Sequence, residues 1–482
     1  MSSPRPAPSC RPRRRPLRGR RGSVLLVAVL FSSMIAIAIT GYLRLTATVL
    51  KVSQRAIGNN AAVNLAETGL EEAMWSINQT VAGNASAWSG WYVSGTNTGA
   101  RAFSGFDLGQ GVTGKVRVYI SNTLTTGAAP FIISRATVTL PNGQGNIEKF
   151  IKVTLSLRST FANGLVAKRT ISFAGNSASV DSYNSAKGAY NANLGGGTYN
   201  KNDNGSAGSL AVTVDALSVG NADIWGHVAV GTSDTSGLSV GSNGTVGPFG
   251  TTAGTVVASA VTTNFTANFP DTTAPTTSGY SIASLGSTTL PRGGDVAASD
   301  GKFYYSVGSI GLSGNASNVL HIADDKKVVI ILTPTTGTAV DVKGNASIQL
   351  DNSSSTLAIY TEADVSIAGN GAVNAGNPAN FMLYGTRASS ASSKQSIAIS
   401  GNGNLSGVVY APNAALSIKG GGTSGGVQGA MIGDTVTLTG NDAFHYDEAL
   451  ASLTTGNPYG ISNWDELTTS AARSAVSSYV NF

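Results

Sequence analysis

Cysteine, histidine and charge are all scarce: the 482 residues include one cysteine and three histidines, and only 12% are charged. The cysteine, Cys10, stands in a short basic leader, so the rest of the chain can form neither an internal disulfide nor a cysteine metal site. Lipidation of Cys10 does not match the usual order, in which the modified cysteine follows an apolar stretch; this one precedes it. His227, His321 and His445 are far apart and have no second ligand at metal spacing, so neither a metal nor another cofactor is expected. No nucleophile elbow, phosphate-binding loop or calcium nonapeptide stands out. Few charges, 41% hydrophobic residues and 60 glycines suit an exported β-rich protein better than a disordered tail or a helical cytosolic enzyme.

Charge is informative once it is localised. Eight arginines and no acid occupy the first 21 residues; removing those eight from 31 basic residues leaves 23 against 25 acidic ones. The basic excess is therefore a leader beside an apolar span, and nucleic acid is not an expected partner. From Val24 to Leu43 runs an uncharged stretch of 20 residues. At about 1.5 Å per residue, a helix of that length crosses a hydrocarbon core of about 30 Å. The arginines before it predict an N-in, C-out single pass through the inner membrane, with the bulk periplasmic or at the cell surface. A cleaved secretory signal is the rival reading, but its apolar core would be shorter and end in a small-residue site.

Helical spacing continues past the membrane. Val63, Ala66, Leu70, Ala73 and Ile77 recur every three or four residues opposite Asn64, Glu67, Thr68, Glu71 and Glu72, which predicts one long helix over 23–80, weakened at Gly41 and Gly58. The order Arg20-Arg21-Gly22, an apolar helix from Ser23, and then Asn64-Leu-Ala-Glu-Thr-Gly-Leu-Glu-Glu-Ala73 resembles the N-terminal region of PilX-type minor pilins and related pseudopilins. That resemblance implies cleavage of Gly22–Ser23 by a prepilin peptidase. It also implies assembly with pilin or pseudopilin subunits in a type IV pilus or type II secretion system. Major pilins carry glutamate at the fifth mature position, where this chain has Val27, a departure compatible with a minor or tip subunit.

Residues 81–160 read as an antiparallel β unit like a pilin head, because 115–120, 131–140 and 149–157 alternate apolar with polar side chains between Gly/Asn/Pro turns. Beyond Thr160 a pattern recurs: apolar, any, apolar, any, Gly, usually Asn. It is present at Ile171–Asn176, Ile310–Asn315, Val340–Asn345, Val365–Asn370, Ile397–Asn402 and Val436–Asn441, with a variant at Leu416–Gly421. Very short strands ending in Gly-Asn corners at roughly one-coil spacing predict a parallel β-solenoid over 161–450, with a β-sandwich as the alternative. An exposed loop is expected near 262–278, and 451–482 is expected to cap the solenoid's open end. The stretches Gly407–Ala414, Gly429–Gly433 and Phe444–Leu450 resemble an uncharacterised solenoid-like domain found behind pilin-like anchors.

The sequence thus predicts a mainly β, non-enzymatic surface protein, with adhesion to a glycan as its expected role. A permanently anchored glycan-binding protein and a polysaccharide lyase or hydrolase are the alternatives. For catalysis the best-looking cluster is His445 with Asp447 and Glu448, whose structural alternative is a set of hydrogen bonds in a terminal coil.

Overall fold

The computed structural model describes residues 21–81, 86–94, 98–121, 130–141, 143–157, 159–175, 178–368, 370–374, 377–401, 404–420, 426–440, 443–453 and 459–482. It is mainly β behind one long helix, and divides into one unit of 1–156 with 460–482 and another of 157–459. Helix α1, Arg21–Val81, runs unbroken through both Gly41 and Gly58. Its two halves differ: apolar side chains from Val24 to Ile57 are exposed, whereas Ala62, Leu65, Ala66, Leu70, Ala73 and Ile77 are buried.

That buried stripe lies on an antiparallel sheet formed by β1 (Tyr92–Ser94), β2 (Thr98–Asp107), β3 (Thr113–Ser121), β4 (Phe131–Thr139) and β5 (Asn146–Leu157). Gly58 and Gly69 are contact points rather than weaknesses. A Cβ at Gly69 would stand 2.6 Å from Ser134 Oγ, Val116 and Val118, so glycine lets the helix approach β3 and β4 closely. Of residues 451–482, expected to cap the solenoid, 460–482 belong to the first unit instead. Its strand Tyr459–Glu466 extends this head sheet beside β5, and helix α2, Ser470–Ser477, belongs to the same unit. Val476 and Val480 bury themselves against Ile133 and Phe150, apolar surface that the sheet offers on its second face.

The larger unit is a parallel solenoid and not a sandwich: its strands pair in parallel from coil to coil. The recurring motif supplies two inward ladders. One runs Ile310, Val340, Val365, Ile397, Leu416, Val436, Ile171, Leu217 and Leu238; the other runs Leu312, Val342, Ile367, Ile399, Ile418, Leu438 and Phe173. Each fully buried aliphatic side chain contributes about 1.5–3 kcal/mol relative to exposure, but only once a neighbouring coil covers it. The corner glycines stack as well. Gly344 has φ +72° and a Cβ there would lie 2.5 Å from the Gly314 carbonyl oxygen, which excludes a side chain at this bend.

The spatial order of the ladders differs from the chain order. The first solenoid strand, β6 (Leu165–Phe173), lies between Val427–Gly440 and Gly205–Ser209, and β7 (Ser179–Tyr183) lies between Ala443–Asp447 and Asp223–Val230. The chain therefore enters mid-stack, builds a first arm outward to Val261–Thr262, crosses to the far end at Tyr280–Ile282, and builds a second arm back to the middle. Where it began and where it finishes, Ser159 Oγ donates to the Leu450 carbonyl at 2.6 Å.

Residues 263–279 are the crossing segment, not simply an exposed loop. Ten strand steps separate Val261–Thr262 from Tyr280–Ile282, or roughly 48 Å at about 4.8 Å each. An extended chain of this length reaches about 60 Å, enough to run the distance with little slack. It is pinned along the way. Phe265 N donates to Val230 O at 2.9 Å, Phe269 is buried, and the Pro270 carbonyl accepts from Tyr410 Oη at 2.8 Å. The outward face beneath includes Tyr360, Tyr384 and Tyr410, the first two stacked with centroids 4.6 Å apart.

Candidate functional site

Two places concentrate chemistry: the exposed half of α1 and the polar cluster at the middle of the solenoid. In α1, Gly22 and Ser23 stand in the first helical turn, while Cys10 and the arginines up to Arg20 lie outside the described residues. The serine and threonine hydroxyls in the apolar span are satisfied within the helix. Ser32 donates to Ala28 O at 2.8 Å, Ser33 to Leu30 O at 2.8 Å and Thr40 to Ala36 O at 2.7 Å. Each polar group in hydrocarbon needs such an internal partner, so this span is chemically ready for lipid. Val27 is about half exposed among other apolar side chains and presents no charge to them. Among the described helices, this one is long and apolar enough to cross a membrane, and its apolar window is wholly unburied.

His445, Asp447 and Glu448 are each engaged by residues between 181 and 204. His445 and Asp447 alternate with the core residues Phe444 and Tyr446 and so face outward, where β7 and the segment after it cover them, while Glu448 begins a short 3-10 turn. His445 Nδ1 contacts Asp181 Oδ1, and its ring stacks on Tyr190 with centroids 3.6 Å apart. Asp181 also accepts from Tyr190 Oη at 2.8 Å and pairs with Lys201 Nζ at 3.4 Å. Asp447 Oδ1 accepts from the backbone N–H groups of Ser185, at 2.8 Å, and Ala449, at 3.1 Å. Its Oδ2 is buried with no hydrogen-bond partner among the described residues, and burial pushes its carboxyl above the ordinary range. Burial likewise pushes the Tyr183 and Tyr190 hydroxyls up, each reinforced by a nearby aspartate.

Glu448 Oε1 collects donors: Ser182 Oγ at 2.7 Å, Asn202 Nδ2 at 3.0 Å and Asn204 Nδ2 at 2.9 Å. The cluster thus ties residues 184–204 to the final coil of the second arm. Its missing members, Asp181, Tyr190 and Lys201, were not visible from the His445 neighbourhood in sequence; β6–β7 stacking on the last coil brings them there. Among the described residues no group of three metal-ligating side chains gathers in the arrangement a metal ion needs. His321 instead pairs with Asp351 at 2.7 Å on the exposed surface.

A family model described as "Domain of unknown function (DUF7305)" matches residues 254–453, which take in the crossing segment and the second arm. No curated protein matches the chain. Among solved structures the chain is similar to the competence-associated pilin ComZ from Thermus thermophilus, at 11% identity over 85% of this chain and 97% of that one, with a TM-score of 0.22. So loose a likeness carries no weight in the functional argument.

Proposed function

We propose that this chain is a membrane-anchored, pilin-like subunit that holds a non-catalytic β-solenoid outside the cytoplasm. The observation that carries the reading is the asymmetry of α1. Apolar residues from Val24 to Ile57 are left uncovered, whereas the same helix from Ala62 onward is seated on its own sheet. An apolar surface of that extent needs lipid or the helices of other subunits around it. Cleavage at Gly22–Ser23 would allow transfer from lipid into a fibre, and an apolar Val27 suits a minor or tip position. The solenoid then serves as a display surface, with a glycan as the ligand class suggested by its length and polar exterior.

N-terminal mass analysis of the protein from cells with active prepilin peptidase tests this reading. A chain beginning at Ser23 supports it, and an intact leader favours the second reading, a permanently anchored glycan-binding protein. That second reading is favoured by Val27 itself, which lacks the carboxylate usual for a shaft subunit. Orientation is tested by protease added outside permeabilised cells, which is expected to remove the solenoid. Catalysis is tested separately: the engagement of His445, Asp447 and Glu448 by the residues 181–204 that cover them predicts no glycan turnover by the full chain on a broad panel. Turnover lost in His445→Ala would overturn the non-catalytic assignment.

A further inference from the structure

The permuted stack contains a seam where successive coils have no direct chain connection, between β6 of the first arm and Val427–Gly440 of the second. Side chains bridge it. Arg169 on β6 grips Asp434 with Nε 2.9 and 3.0 Å from the two carboxylate oxygens. Beside this pair, Lys168 Nζ reaches past the intervening strand to Asn413 on Asn404–Gly420, 3.1 Å from Oδ1. Asn413 is buried, and its amide orientation is determined by what surrounds it: Nδ2 donates to Asp271 Oδ1 at 2.8 Å and to the Arg387 carbonyl at 2.9 Å. Asp271, on the crossing segment, is held in turn by Ser389 N at 2.9 Å and Ser389 Oγ at 3.1 Å.

An amine, a carboxamide and a carboxylate locked in this order constitute the reactants and the proton carrier for amide exchange. We propose that Lys168 and Asn413 form an intramolecular isopeptide bond, assisted by Asp271, that fastens the seam of the solenoid covalently. Burial lowers the Lys168 ammonium from its ordinary range, which favours the nucleophilic free amine. The hydrogen bonds from Asn413 and Ser389 hold Asp271 below its ordinary range, hence ionised and able to accept a proton.

The step balances without an external reagent. Asp271 takes one proton from the Lys168 ammonium, and the freed nitrogen pair attacks Asn413 Cγ, pushing the carbonyl π pair onto Oδ1. The surplus proton on the attacking nitrogen passes to Nδ2. The Cγ–Nδ2 bond then breaks as the oxygen pair re-forms the carbonyl, and the departing ammonia collects the proton held by Asp271 and leaves as ammonium. No atom changes oxidation state. Fixing both reactants in one folded site replaces a very slow bimolecular reaction by an intramolecular one, the situation in which effective concentrations become very large.

Mass spectrometry of the folded full-length protein in detergent decides the matter. The expected wild-type chain is lighter than its sequence by one ammonia and yields, after trypsin, a branched peptide joining Lys168 to Asn413. Lys168→Arg, which retains charge but cannot form the bond, and Asn413→Ala should both show the full mass for their sequences. Asp271→Ala should accumulate the uncrosslinked form. An unmodified wild-type mass overturns the proposal. So does the loss of one ammonia without the branched peptide, since an Asn-Gly succinimide elsewhere produces the same mass change. The wild-type reading does not depend on any variant folding.

Discussion

In the head, strands that follow one another in sequence are neighbours in the sheet from β1 through β5; in the solenoid, Leu165 near its beginning packs between Met431 and Ala207. The contrast separates two sources of order. A hairpin connection selects an antiparallel neighbour because the turn is short. A parallel coil accepts any edge that offers the same register and a matching apolar ladder, so its neighbour is selected by the whole assembly.

The largest effect that tests this contrast is expected at the seam. Leu165→Asp would bury a carboxylate between Met431 and Ala207 at a penalty of about 4 kcal/mol or more. Pulse proteolysis should then expose sites in both arms; cleavage in the first arm alone would show that the arms are independent. Next come paired glycine substitutions. Gly175→Ala places Cβ 1.8 Å from the Gly440 carbonyl oxygen and Gly69→Ala places it against three side chains, so each should lose about 1–3 kcal/mol in denaturant melts. Gly41→Ala meets nothing within 4 Å and should be neutral or slightly stabilising. Equal behaviour of Gly69→Ala and Gly41→Ala would remove the distinction between packed and uncovered halves of α1.

Phe269→Ala is smaller again. It should loosen the crossing segment by about 2 kcal/mol, seen as faster cleavage within 263–279 while both arms stay protected. Simultaneous loss of both arms would make the crossing segment as decisive as the seam. The smallest expected effect concerns Asp447. Its folded pKa is raised by burial, so its contribution to stability is fully present below the unfolded pKa and is lost as pH rises through the folded value. Asp447→Asn should flatten that part of the pH–stability curve and change neutral-pH stability by less than about 1 kcal/mol. An unchanged slope would show that another group dominates it.

Several features were legible locally. Ile310/Leu312, Val340/Val342 and Ile397/Ile399 announce inward pairs by two-residue spacing, and they do form continuous ladders. The stripe from Ala66 to Ile77 likewise predicts the buried side of α1. The place of the C-terminal segment was not legible, because an amphipathic stretch shows only that it needs a covering surface. Val476 and Val480 found that surface on the head sheet, beside Ile133 and Phe150. His445 stood out among ionisable residues, but its partners Asp181 and Tyr190 could not be inferred from its neighbours in sequence.

By itself, then, the amino-acid order determined the membrane-length apolar helix, the alternation that makes strands and the repeated unit that makes coils. Each is a short-range property, set by side-chain period and backbone geometry. Only the tertiary structure decided that the solenoid begins at its middle, that residues 263–279 run its length, and that Lys168, Asn413 and Asp271 meet. The physical reason is that stacked parallel strands are interchangeable in their hydrogen bonding, so their succession is settled by the packing of the complete stack.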